Sequence, residues 1–293
     1  MTDTLEQTRE TPFGGPIRRL QPEDVGLVRQ TWDARYTHAD LRFMAASPDW
    51  LVLWNSQTGE HIVGGPWRHR REVLEITEIA GSGGAIELVQ AFVDEASHTG
   101  VDLILVPERL ERRKEQFYAA VGFEDIEQII IYEIHNLRPP RHRPLTLTFE
   151  RVDMTNASQR EEIIDLDHAT FPWLWWNSPA EFDNYSSANG VVIEMARDPG
   201  GQPLAYVGYT RLRGWGHLDR IAVSPAAQGQ GLGRVALEYA VARMVGLGAR
   251  RVGLSTQSDN HVSRKLYESF GFRRNSAHDY RLYGRWTGER RPV

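Results

Sequence analysis

Ser224-Pro225-Ala226-Ala227-Gln228-Gly229-Gln230-Gly231-Leu232-Gly233-Arg234 is the stretch whose reading decides the fold. Before it stands His217-Leu218-Asp219-Arg220-Ile221-Ala222-Val223, a strand pattern. After it, Leu237, Val241, Met244 and Val245 recur at i, i+4, i+7 and i+8, the stripe of an amphipathic helix. A strand, a glycine loop and a helix start are expected in that order. The first amides of a helix lack intrahelical partners and carry partial positive charge, so such a loop suits a phosphate. Glycines at alternate positions remove the Cβ atoms that would obstruct a pyrophosphate. No Gly-Lys-Ser/Thr follows, so this is not a nucleotide-hydrolysing loop. A hairpin precedes it rather than a βαβ unit, and the glycine spacing differs, so a dinucleotide fingerprint is excluded as well.

Working outward, the spacing predicts a helix over Gln159–Thr170, strands over Val191–Ala196 and Pro203–Arg213, and a hairpin closed by Gly214-Trp215-Gly216. Downstream come a strand at Arg251–Ser255, a helix at Ser263–Phe270 and a strand near Asp279–Tyr283. The first half repeats this grammar. Tyr118, followed four residues later by Gly122-Phe123, mirrors Tyr267 and Gly271-Phe272 at an offset of 267 − 118 = 149 residues. Strands are expected at Ile17–Pro22, Trp50–Trp54 and Val73–Ile79. One duplicated α/β unit is therefore predicted: a disordered lead over 1–15, domains at 16–136 and 147–293, and a proline-rich linker at 137–146.

Composition narrows the function. The net charge of −5 gives no footprint for nucleic acid, and the basic run Arg109–Lys114, broken by Glu111, is expected to be a solvated helix face. The absence of cysteine excludes disulfides, thiolate nucleophiles and thiolate metal sites. No apolar run approaches the roughly 18 residues of a membrane span. A cytoplasmic protein without metal or membrane partner is expected, as a monomer or homodimer.

Gln228, Gly231 and Gly233, preceded by Val223 and Pro225, resemble the Gln/Arg-x-x-Gly-x-Gly/Ala signature of the GNAT N-acetyltransferases. Asn260, Ser263, Leu266, Tyr267, Gly271 and Phe272 resemble that family's downstream pattern, and the tandem arrangement is similar to that of the mycothiol synthases. The resemblance implies an α/β fold of two tandem units, each a central mostly antiparallel sheet flanked by helices. It implies acetyl-CoA as donor and a small-molecule amine as acceptor. Backbone groups across Ile221, Ala222 and Val223 would pair with the pantetheine arm. The amides of Gln228, Gly229, Gln230, Gly231, Leu232, Gly233 and Arg234 would hold the pyrophosphate. Asn260, Ser263 and Lys265 would meet the rest of the cofactor, and Tyr267 would protonate the leaving thiolate.

For the base, His217, Asp219 and Ile221 are expected on one strand face by period-two alternation. Imidazole titrates near neutrality, as a base requires. Asp219 would serve beside it, as base, as orienter of His217 or as a partner of the amine, and Glu194 is a third candidate. Trp173, Trp175 and Trp176 are expected either to line an amine pocket or to pack the halves together. In the first half, Ala80–Ala85 is shorter than the 224–233 loop, and Glu111 falls near the place of Asn260. A carboxylate there repels phosphate, so only the second copy is expected to catalyse. Transfer of another acyl or aminoacyl group, and an acyl-CoA-binding regulator without turnover, are the competing readings.

Overall fold

In chain order the elements of the computed structural model are β1 (Ile17–Arg19), α1 (His38–Ala46), β2 (Leu51–Asn55), β3 (His61–Trp67), β4 (Arg70–Ala80), α2 (Ala85–Ser97), β5 (Leu103–Pro107), α3 (Glu115–Ala120) and β6 (Glu124–His135). There follow β7 (Thr148–Arg151), α4 (Ala157–Thr170), α5 (Pro179–Ser187), β8 (Val191–Arg197), β9 (Pro203–Leu212), β10 (Trp215–Val223), α6 (Leu232–Gly246), β11 (Arg251–Gln257), α7 (His261–Phe270), β12 (Arg273–Arg274) and β13 (Tyr280–Trp286). The structure describes residues 15–291 except 33, 82, 112, 136 and 138–146. The expected lead and most of the expected linker lie outside the described residues.

Helix ends sit where side chains satisfy them. Thr37 and Asp40 form a capping box on α1, Ser178 caps α5 with Pro179 in its first turn, and Gly271 ends α7 in the left-handed region. Helix α5 escaped the sequence reading because its Phe182 is its sole buried residue, too little for a periodic stripe.

The chain forms two units: residues up to Ile126 with Leu282–Arg290, and Glu127–Arg281. In the first, the strand order is β1-β2-β3-β4-β5-β13, with β4 and β5 parallel and the other pairs antiparallel. In the second it is β6-β11-β10-β9-β8-β7, with β12 also on β6 and only β10 and β11 parallel among the described pairs. These units depart from the expected 16–136 and 147–293. Strand β6, translated with the first half, lies in the second unit's sheet, and β13 lies in the first's. Pairing edges and burial decide this, since Ile130 and Tyr132 of β6 enter the second core while Tyr283 of β13 stacks on Tyr118 at 4.1 Å.

The second sheet has two clothed faces. Leu237, Val241 and Met244 of α6 pack with Leu218, Leu254 and Tyr267 on one. Ile163 of α4 and Phe182 of α5 pack with Tyr206 and Ala222 on the other. Each such fully buried aliphatic or aromatic side chain contributes about 1.5–3 kcal/mol.

Candidate active site

Strands β10 and β11 pair only from Trp215/Arg251 to Leu218/Leu254, although β10 continues to Val223 and β11 to Gln257. Beyond Leu218 they part, leaving a wedge that opens toward the glycine loop. On its other side β10 pairs with β9, and the register shifts between Leu218 and Arg220. This bulge at Asp219 starts where the split starts.

The bulge overturns the expected alternation. Asp219 and Arg220 both reach the α4/α5 face, Asp219 to Tyr185 of α5 and Arg220 to Asp167 of α4, while Ile221 packs with the α6 cluster. An extra residue in a strand inverts the facing of every residue after it. So His217 and Asp219 share a face and Ile221 does not.

His217 lies on the last paired rungs, its ring over Gly253 of β11. Its Nδ1 bonds Asp219 Oδ1 at 2.7 Å. A carboxylate only accepts, so Nδ1 carries the proton and Nε2 keeps the lone pair. The other Asp219 oxygen accepts from the Tyr185 and Thr210 hydroxyls, both at 2.6 Å. Burial and the Asp219 charge push the Tyr185 hydroxyl well up, which keeps it a donor. Asp219 therefore pairs with neither Arg220 nor Arg211. Glu194 is not brought into this group. It is buried on the α6 face, where Tyr209 and Tyr239 donate to it at 2.9 and 3.1 Å and Arg243 approaches to 3.7 Å.

At the open end, Gly229 and Gly231 adopt φ of 76° and 81°, and a Cβ at either would meet nothing within 4 Å. Gly231 caps α6 with no side-chain bond. The N–H groups of Leu232 and Gly233 find no acceptor among the described residues, while Arg234 and Val235 bond back to the Gly231 carbonyl. Two open amides at a helix start form an anion seat. Gln228 and Gln230 fold back on the carbonyls of Val223 and Ala226 at 3.1 and 3.5 Å, and Arg234 is held by Glu238 and Ser269. Asn260 uses its side-chain oxygen to cap α7 at the Ser263 amide, 3.1 Å away. Lys265 is exposed. Tyr267 is buried at 4% exposure among core residues, and burial pushes its phenol up to about 12, against a smaller opposing effect of the Ser263 hydroxyl.

The tryptophans divide. Trp176 donates to the Phe171 carbonyl at 2.8 Å and stacks on His168, and Trp173 is buried. Trp175 donates from its indole to Glu127 of β6 at 2.7 Å. Sequence reasoning missed Glu127, Tyr185 and Thr210, which are far apart in the chain, and it missed the buried Arg220–Asp167 pair. Arg220 donates to both Asp167 oxygens at 2.5 and 2.6 Å, to the Tyr206 hydroxyl and to the Trp175 carbonyl. A lone Asp or Arg in an apolar pattern, here Asp167 between Leu166 and His168, was the available signal. Arg220→Ala strands a fully buried carboxylate, and a stability loss of about 3–5 kcal/mol is expected in denaturant titration.

Residues 153–272 match the family described as "Acetyltransferase (GNAT) family". This match covers a segment of the second unit and makes that segment similar to the GNAT acetyltransferases. A mycothiol acetyltransferase of Mycobacteroides abscessus is 39% identical over 59 residues, a match spanning 20% of this chain and 20% of that relative's length. A tandem GNAT protein from the clavulanic acid biosynthesis pathway superposes with a TM-score of 0.59 at 14% identity, over 94% of this chain and 99% of that one. A GCN5-related N-acetyltransferase from Sphaerobacter thermophilus gives 0.59 at 16% identity, over 94% and 96%. At these identities the two structures establish the tandem GNAT fold.

In the first unit the corresponding strands also part: β4 and β5 pair only over Val73–Glu75 and Leu103–Leu105. Here charged side chains line the parted strands, around a cavity of about 590 Å³ bordered by Glu60, Ile79, Gly81, Glu111 and Arg113. Glu111 accepts the Ile79 N–H at 3.0 Å, and Arg113, bonded to Glu111 at 2.8 Å, donates to the Ile79 and Gly81 carbonyls at 2.9 Å. The Glu60 carboxylate lies against Gly84, the residue capping α2, only 2.7 Å from where a Cβ would stand. Tyr118, the counterpart of Tyr267, spends its proton on the Glu111 carbonyl. Glu111 and Arg113 are thus half-buried and non-helical, not on the solvated helix face expected.

Proposed function

We propose that the second unit transfers an acetyl group from acetyl-CoA directly to the amine of a small molecule. The observation that carries this reading is one wedge between β10 and β11 with the His217–Asp219 pair at its closed end and an uncapped glycine loop at its open end. The parted edge of β10 past Leu218 offers backbone groups to which a pantetheine arm adds like a strand. The Val223 carbonyl keeps a second lone pair beside its bond to Gln228. The Leu232 and Gly233 amides receive the pyrophosphate. Asn260, whose carbonyl oxygen is committed to its helix, has its amide N–H groups left for the cofactor.

His217 Nε2 takes a proton from the ammonium form of the acceptor, and the neutral amine attacks the thioester carbonyl. As the C–S bond breaks, the thiolate collects the phenol proton of Tyr267, the new amide nitrogen sheds its extra proton through water to the phenolate, and His217 releases its proton to solvent. Asp219 holds the His217 tautomer and stabilises the imidazolium formed. Elevation of the Tyr267 phenol keeps it protonated throughout the range where an imidazole base works, so an alkaline loss of rate there does not originate in Tyr267. Tyr267→Phe is expected to lower kcat about 10²-fold with donor affinity retained. Acetyl-CoA consumption over an amine panel measures this. Tight acetyl-CoA binding with no amine acetylated by wild type would instead favour a regulator, and a full rate in Tyr267→Phe with chemistry limiting would remove the phenol from the mechanism.

A further inference from the structure

Among the described residues no arginine or lysine is bonded to Asp219. Its partners are His217, Tyr185 and Thr210, and the Arg220 guanidinium of the same face is spent on Asp167. Oδ1 turns to His217 Nδ1. Oδ2 offers two lone pairs, and the Tyr185 and Thr210 hydroxyls, both at 2.6 Å, fill them. Hydroxyl donors this close to a carboxylate are of the strong, charge-assisted kind. The orientation of Asp219 and its ionised state therefore rest on two neutral dipoles.

The two hydroxyls come from different elements. Thr210 of β9 is the direct partner of His217 across the strand pair, so both side chains point to one face. Tyr185 comes from α5, one helical turn beyond Phe182, the buried anchor of that helix. It lies over Gly208 of β9, where a Cβ would stand 2.8 Å from the phenol oxygen and 3.1 Å from Cε1. Glycine inside a strand weakens the strand and marks a close approach. Here the group that approaches is the hydroxyl that holds Asp219.

We infer that Tyr185 and Thr210 are positioning residues for His217: they hold Asp219 ionised and turned toward Nδ1 without neutralising it, so its charge is left for the imidazolium that forms when Nε2 takes a proton. The inference rests on the amine-transfer reading above. An arginine in either place would pair with the carboxylate before the proton moves and weaken its hold on the imidazolium. The same two bonds close Oδ2, so Asp219 orients His217 and leaves the acceptor amine to other groups. Gly208 belongs to this arrangement, because a side chain there displaces the phenol from Asp219.

The test has two arms on the full chain. In the first, NMR of nitrogen-labelled histidines reads the tautomer of His217 at pH 8 without turnover, the signals being assigned by His217→Gln. Wild type is expected to carry the proton on Nδ1, and Tyr185→Phe combined with Thr210→Val to move toward a mixture of the two tautomers, with Thr210→Ser unchanged. An unchanged Nδ1 proton in the double variant overturns the inference whether or not any amine is acetylated. In the second, kinetics use the best amine of the panel with chemistry limiting. Tyr185→Phe, Thr210→Val and Gly208→Ala are each expected to lower kcat about 10-fold, with both KM values near wild type and Thr210→Ser close to the wild-type rate. A wild-type rate in both Tyr185→Phe and Thr210→Val, or an equal fall in Thr210→Ser and Thr210→Val, overturns it. If the tautomer responds as expected while wild type acetylates no amine, the transferase reading fails and the hold on His217 stands.

Discussion

Replacing Gly231 by tryptophan is expected to weaken acetyl-CoA binding by at least about 10³-fold. Gly231 holds φ at 81° and a Cβ there meets nothing within 4 Å. The left-handed conformation costs an L residue about 1–2 kcal/mol, within what a folded domain tolerates. The indole instead occupies the space in front of the Leu232 and Gly233 amides, where the pyrophosphate is proposed to sit. Loss of that seat removes several charge-assisted hydrogen bonds, and a Kd rise of at least about 10³-fold is expected in calorimetric titration. Wild type should bind acetyl-CoA at the second unit's glycine loop and the variant should not. Unchanged acetyl-CoA affinity in Gly231→Trp would contradict the loop assignment.

His217→Ala is expected to lower kcat about 10²–10⁴-fold with acetyl-CoA affinity unchanged. The ring is held at Nδ1 and sits at the closed end of the wedge, so its loss removes a positioned base without disturbing the glycine loop. Asp219→Asn should fall in the same range. The amide can donate to Nδ1 through its nitrogen, which would place the ring proton on Nε2 and silence it, as a wrong tautomer does. Single-turnover rates against pH decide this. If His217→Ala keeps the wild-type rate with chemistry limiting, the base lies elsewhere.

The motif-bearing parts were legible in the sequence because they depend on local chemistry. Glycines at 229, 231 and 233 lie between a strand and an amphipathic helix, and Asn260 and Tyr267 keep their order and spacing. The duplication was legible from Tyr118 and Tyr267. The face assignments were not. Ile221 was expected beside His217, and a bulge of one residue moved it to the other side. Glu194 looked like a strand acid suited to catalysis, and three partners on the α6 face account for it.

What the sequence by itself determined is the duplicated α/β plan and the order of strand, glycine loop and helix in the second half, since turn geometry and helix starts are properties of neighbouring residues. Only the tertiary structure decided which acids meet which bases. It brought Tyr185 and Thr210 to Asp219, paired Arg220 with Asp167, set Glu111 and Arg113 on Ile79 in the first unit, and carried Glu127 into the second unit on an exchanged strand. Strand partners and register are set by burial and edge pairing between segments distant in the chain, and no local pattern encodes them.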